Sequence, residues 1–242
     1  ATYKKDTTHL KAIAHLASSF DKLKDRDSTQ IFVEKGLLLD SNHINLNKLK
    51  INQFYREKKY LETIPFLLKL DTISRRDTYS TSMLGRAYYN LDSLHQAKKY
   101  FRKLWKIDRE NFKAYTYLGH IAMKEKEYKI AELQYRMATK IGKDRRDEEY
   151  FGLGTMYYET KKPKEAIFNF EKAYRENYNN YKALFQFAKL SDDFYKDKKI
   201  GYRNYTRYLD RFLDKDKVMT DFAKRRVKEI KKEYFLKGEI LK

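Results

Sequence analysis

The chain has 242 residues, with 8 Gly, 2 Pro, no Cys and a formal net charge of +20. So little Gly and Pro leaves scant material for β-turns and favours long helices with short connections, and the lack of cysteine excludes disulfides, thiolate metal sites and a cysteine nucleophile. No run of about 18 apolar residues is present, so no membrane-spanning helix is expected.

The charge suits nucleic acid, anionic lipid or an acidic protein partner, and equally a Lys-rich solvated helical surface. The N-terminus, Ala1-Thr2-Tyr3-Lys4-Lys5-Asp6, has no apolar signal region and no initiator Met, which points to a mature or trimmed product.

In chain order, residues 10–43 form a first weak unit, with Leu16-Ala17, Phe20, Thr29 and Val33 at set phases. Residues 44–77 form the most degenerate unit: Lys50-Ile51, Phe54, Thr63, Leu67 and Leu70 take those phases, and Pro65 falls in the early turns of its second helix. Three strong units follow, at about 78–111, 112–145 and 147–180. Leu84-Gly85, Tyr88, Ala97 and Phe101 recur as Leu118-Gly119, Ala122, Ala131 and Tyr135, then as Leu153-Gly154, Tyr157, Ala166 and Phe170. Gly85 to Gly119 and Ala97 to Ala131 are 34 residues apart; the next steps are 35, so one residue is inserted near Arg146. Small residues at two fixed phases mark a close helix crossing, and the aromatic phases are expected to fill the gap between successive repeats. The charged segment Lys143–Glu149 reads as a turn holding the insertion.

Residues 181–214 continue the pattern, with Phe187-Ala188 at the Leu-Gly phase and Gly201 one residue late at the Ala phase. Tyr205 and Tyr208 follow, and Asp192–Lys199 reads as the turn. From about 217 to 236, Met219, Ala223, Val227, Ile230 and Tyr234 form one apolar stripe with Lys224, Arg225, Lys228, Lys231 and Lys232 mostly off it. This is expected to be a capping helix with a polar outer face.

Residues for catalysis are wanting. His9, His15, His43, His95 and His120 show no metal-ligand spacing, there is no phosphate-binding glycine loop, and the pairs Glu148-Glu149 and Asp192-Asp193 each fall in an expected turn. No catalytic residue, metal or cofactor is expected.

The 34-residue period with these Gly, Ala and aromatic phases resembles the tetratricopeptide repeat family over nearly the whole chain, most closely over 78–180. The resemblance implies an all-α, right-handed α-solenoid of about six helix pairs with a C-terminal capping helix. It implies a non-enzymatic scaffold or adaptor whose first helices line a concave groove for an extended peptide or a helix. Counting from the packing phases puts Lys48, Asn52, Tyr55, Arg86, Tyr89, Lys113, Thr116, His120, Thr155, Tyr158 and Lys189 in that groove, a basic, polar and aromatic set suited to an acidic partner. Lys48, Asn52 and Lys113 match three positions of the clamp by which some members hold a peptide carboxylate, but Met83 and Tyr117 stand where two others should be. The alternatives are an electrostatic binder of nucleic acid or an anionic membrane surface, and self-association through an exposed end. With no cysteine and a trimmed start, the resemblance to exported bacterial members points to an extracytoplasmic setting.

Overall fold

The computed structural model describes residues 3, 6–74, 77–142, 145–239 and 241. Lys143 and Asp144, part of the charged segment read as a turn, lie outside them, as do Ala1, Thr2, Lys4 and Lys5 of the N-terminus. Among the described residues the fold is all-α, with thirteen helices and no strand. They divide into two compact units, residues 1–109 and 110–242. The first holds α1 (Leu10–Lys22), α2 (Arg26–Leu39), α3 (Ile44–Arg56), α4 (Tyr60–Ile73), α5 (Thr78–Asn90) and α6 (Leu94–Ile107). The second holds α7 (Phe112–Lys124), α8 (Tyr128–Ile141), α9 (Asp147–Glu159), α10 (Pro163–Glu176), α11 (Tyr181–Phe194), α12 (Lys199–Phe212) and α13 (Lys217–Leu236). Within each unit the helices form antiparallel pairs stacked in sequence, the packing of an α-solenoid.

Both ends of the first helices repeat with the period. At their starts stand His9, His43, Asp77, Asn111, Arg146 and Asn180, and all but Arg146 cap the helix by accepting a backbone N–H through the side chain. At their ends Lys24, Lys58, Asp92, Lys126 and Lys161 adopt φ between 57° and 61°. There the N–H of Lys58 bonds the Tyr55 carbonyl and that of Lys59 the Phe54 carbonyl, a Schellman closure; Lys126 and Glu127 repeat it on Met123 and Ala122.

The small phases are close contacts. A Cβ at Gly85 would lie 2.9 Å from the Phe101 ring, one at Gly119 2.7 Å from Tyr135, and one at Gly154 2.8 Å from Phe170. The aromatic residue therefore sits over the glycine of its own repeat, rather than chiefly between repeats. Tyr135 does both, since a Cβ at Gly152 on the next first helix would also strike its ring, at 2.5 Å. The weak repeats solve the same contact differently. Ile51 and Ala17 are fully buried at the glycine phase, and Thr29 and Thr63 are buried at the alanine phase. Each of these threonine hydroxyls donates to a carbonyl four residues back, Asp25 and Lys59, at 2.6 Å, so no polar group is stranded. Pro65 is the sixth residue of α4, which continues past it to Ile73.

Two expected turns are partly helix. The inserted residue falls in the connection 142–146, but Asp147, Glu148 and Glu149 form the first turn of α9, where three carboxylates favour the positive end of the helix. Asp192 and Asp193 belong to the last turn of α11, which is one residue longer than the other first helices, and the connection that follows, 195–198, is also one residue longer than its counterparts. Asp192 is buried and takes Arg226 of α13 in two bonds, Nε to Oδ2 at 2.8 Å and Nη2 to Oδ1 at 3.0 Å. Lys198 donates to the Asp192 carbonyl. The terminal helix is thus fixed by a two-point ion pair as well as by its stripe, of which Ala223, Ile230 and Tyr234 are buried.

Candidate functional site

The expected groove residues lie on first helices, and in the first unit they interlock. Lys48, Asn52 and Tyr55 stand at i, i+4 and i+7 of α3, on one face. Opposite them α5 presents Tyr79, Arg86 and Asn90. The Tyr79 hydroxyl donates to Asn52 Oδ1 at 2.8 Å, and Lys48 Nζ lies 4.9 Å from the centre of the same ring. Arg86 lies 5.0 Å over the Tyr55 ring, and Asn90 Nδ2 donates to the Tyr55 hydroxyl at 2.8 Å. Burial pushes the Tyr79 hydroxyl up to about 12, so it remains a donor well above neutral pH. Tyr89 is half-buried beside Asn90.

In the second unit α7 offers Lys113, Thr116 and His120, and the first turn of α9 answers with carboxylates. His120 Nε2 donates to Glu148 Oε1 at 2.9 Å while its Nδ1 meets the Tyr135 hydroxyl at 2.8 Å. Lys113 Nζ donates to Glu148 Oε2 at 3.0 Å. The bond from His120, with Lys113 beside it, holds the Glu148 carboxyl down to about 2. Thr116 is fully buried, its hydroxyl donating to the buried Glu149, with the Phe112 carbonyl 3.0 Å away. The expectation that Thr116 faces a partner therefore fails: Glu149, coming from the next first helix, covers it. Thr155 donates to the Phe151 carbonyl at 3.0 Å, Tyr158 is 51 % exposed on α9, and Lys189 lies 6.0 Å over Phe222 of α13.

Two of these contacts are the same contact. Asn52 and His120 share a phase, as do Tyr79 and Glu148, each the second residue of its helix. At both places a residue just past the small phase bonds the second residue of the following first helix. Sequence reasoning missed Tyr79, Asn90 and Glu148. The first two could have been found by carrying the phase forward one repeat; Glu148 was obscured by the insertion beside it.

With this geometry described, comparison with known proteins is informative. The tetratricopeptide repeat family model matches residues 82–111 and 150–180. Those two segments match the tetratricopeptide repeat family directly, and the other helix pairs share the fold of its members. Among solved structures, PilF of Pseudomonas aeruginosa superposes with a TM-score of 0.71 at 11 % identity, covering 92 % of this chain and 99 % of that one. PilW, a type IV pilus biogenesis factor, gives 0.74 at 13 % over 88 % and 98 %. YrrB, a tetratricopeptide repeat protein with an unusual peptide-binding site, gives 0.61 at 16 % over 76 % and 94 %. At such identities the likeness is one of fold. No curated protein matches the chain.

Proposed function

We infer that the protein is a non-catalytic scaffold that binds an extended peptide or a helix of its partner along the first-helix faces, with Lys48, Asn52, Tyr55, Arg86 and Tyr89 as the principal contacts. The observation that carries this reading is the interlocked α3–α5 face: cationic, amide and phenolic groups half-buried and held by one another at 2.8–5.0 Å. Groups already fixed in place lose little side-chain entropy on binding. YrrB, with its peptide-binding site on the same fold, supports the reading.

The acidic part of the partner belongs with Lys48, whose ammonium lies over the Tyr79 ring. Lys113 and His120 already share the Glu148 carboxylate, so an incoming anion there meets a like charge. Within the second unit, Tyr158 and Lys189 lie on the first helices α9 and α11. The test is capture of partners by the full chain at about 0.1 M and 0.5 M salt, over which the screening length roughly halves. A protein retained at the higher salt, and lost when Arg86→Ala and Tyr89→Ala are combined, is the expected result. Recovery of nucleic acid or lipid alone, and only at the lower salt, overturns it.

A further inference from the structure

The second helices of the first unit carry a different surface. Leu61, Pro65, Leu68 and Thr72 on α4 stand one repeat before His95, Lys99, Arg102 and Lys106 on α6, and all eight side chains are exposed. On α2 the same phases hold Ile31, 62 % exposed, and Leu38, 88 % exposed, together with the exposed Asp27 and Glu34. From Leu94 to Ile107, α6 contains no Asp or Glu. A hollow of about 470 Å³ opens against this helix, and the described residues lining it are His95, Lys98, Lys99, Arg102, Lys103 and Lys106. Lys103 donates to both oxygens of Asp71 on α4, at 2.8 and 2.6 Å, so the aliphatic and the cationic rows are tied side by side.

We propose that this outer face of α2, α4 and α6 docks on an anionic lipid bilayer. Exposed Leu and Ile beside a cationic row whose own helix carries no carboxylate is the pattern of a surface that sinks aliphatic side chains into the headgroup boundary while its cations meet lipid phosphates. A nucleic acid would use the cations and leave Leu38 and Leu61 unexplained. Among the described residues no helix is long and apolar enough to cross a membrane, so the attachment is to the surface. The first-helix face is untouched by it, and a docked chain could still hold its partner.

The experiment is co-sedimentation of the full chain with phosphatidylcholine vesicles, with and without about one third phosphatidylserine. Binding is expected only to the phosphatidylserine vesicles. Combining Lys99→Ala, Arg102→Ala and Lys106→Ala should weaken it about a hundredfold, at about fivefold per charge. Combining Leu61→Ser and Leu68→Ser should weaken it about tenfold. All five positions are exposed, and an unchanged circular dichroism spectrum shows that the fold is intact. Absence of binding to the phosphatidylserine vesicles overturns the proposal. So does vesicle binding that the leucine variant leaves unchanged, or a single-stranded oligonucleotide that binds through the three cations where vesicles do not.

Discussion

The α3–α5 face and the α7–α9 face are built at the same repeat phases with opposite chemistry. In the first, the contact between successive first helices is neutral, a tyrosine hydroxyl donating to Asn52. In the second it is charged, with His120 and Lys113 converging on Glu148. The repeat requires only that something bridge those two positions; what bridges them decides the electrostatics. A neutral bridge puts no carboxylate at that contact, whereas Glu148 spends its charge on the cations next to it. One backbone therefore supports two surfaces, and a chain of net charge +20 need not be uniformly attractive to an anion.

The largest way to break the comparison is to displace Tyr135. Its ring lies against both Gly119 and Gly152, and its hydroxyl reaches His120. Gly119→Leu should therefore cost about 3 kcal/mol by forcing the ring out. The equivalent Gly85→Leu displaces Phe101, which has no hydroxyl to lose, and should cost measurably less. Urea unfolding of both variants checks this; equal losses would show that the Tyr135 bond contributes nothing to the second face.

A smaller effect comes from the charged bridge itself. Glu148→Gln should cost about 1 kcal/mol near neutral pH, since it removes a charge-assisted bond that is partly exposed. The sign with pH follows from the lowered carboxyl. Folded Glu148 titrates at about 2 against an ordinary 4.5, so its contribution is present above about 4.5 and is lost as pH falls toward 2. The difference between wild type and variant should close over that window.

The neutral bridge has its window at the other end. Tyr79→Phe should cost about 1 kcal/mol at neutral pH by stranding Asn52 Oδ1. The folded hydroxyl titrates at about 12 against an ordinary 10.0, so its contribution is complete below 10 and is lost as pH rises toward 12. Part of the wild type's alkaline instability should therefore vanish in Tyr79→Phe, and acid should leave the difference between the two unchanged.

How far these features can be read from the chain depends on whether a position has alternatives. Gly85, Gly119 and Gly154 are readable because a close ring contact admits nothing larger, and Ala97, Ala131 and Ala166 because they are fully buried. The caps are harder to read. His9 and His43 are 34 residues apart and both accept a backbone N–H on Nδ1, but histidine is not among the usual capping residues, so the spacing passes unnoticed. Asp192 was hidden because α11 runs one residue longer than its counterparts, and its partner Arg226 lies on a helix outside the repeat. The candidate face was located by phase, but which of its residues hold one another, and that Thr116 lies beneath Glu149, depends on side-chain reach that spacing does not encode.

The smallest expected effect concerns the turns, and it is a gain. Lys58 in the first unit and Lys126 in the second occupy the left-handed region at φ 59° and 58°. A side chain with a Cβ pays about 1–2 kcal/mol there, and glycine avoids that strain. Glycine also loses more freedom on folding, by about 0.5–1 kcal/mol. The net gain for Lys126→Gly should therefore be about 0.5–1 kcal/mol, and Lys58→Gly should match it, because the closure bonds are alike: Lys58 N to Tyr55 O and Lys126 N to Met123 O, each 3.1 Å. Thermal unfolding of the two variants would measure it. Equal gains would mean that the two faces differ only in their bridges and that the turns beneath them are interchangeable. A gain at one site alone would mean that the lysine side chain itself contributes at the other, and that the difference between the faces extends into the turn.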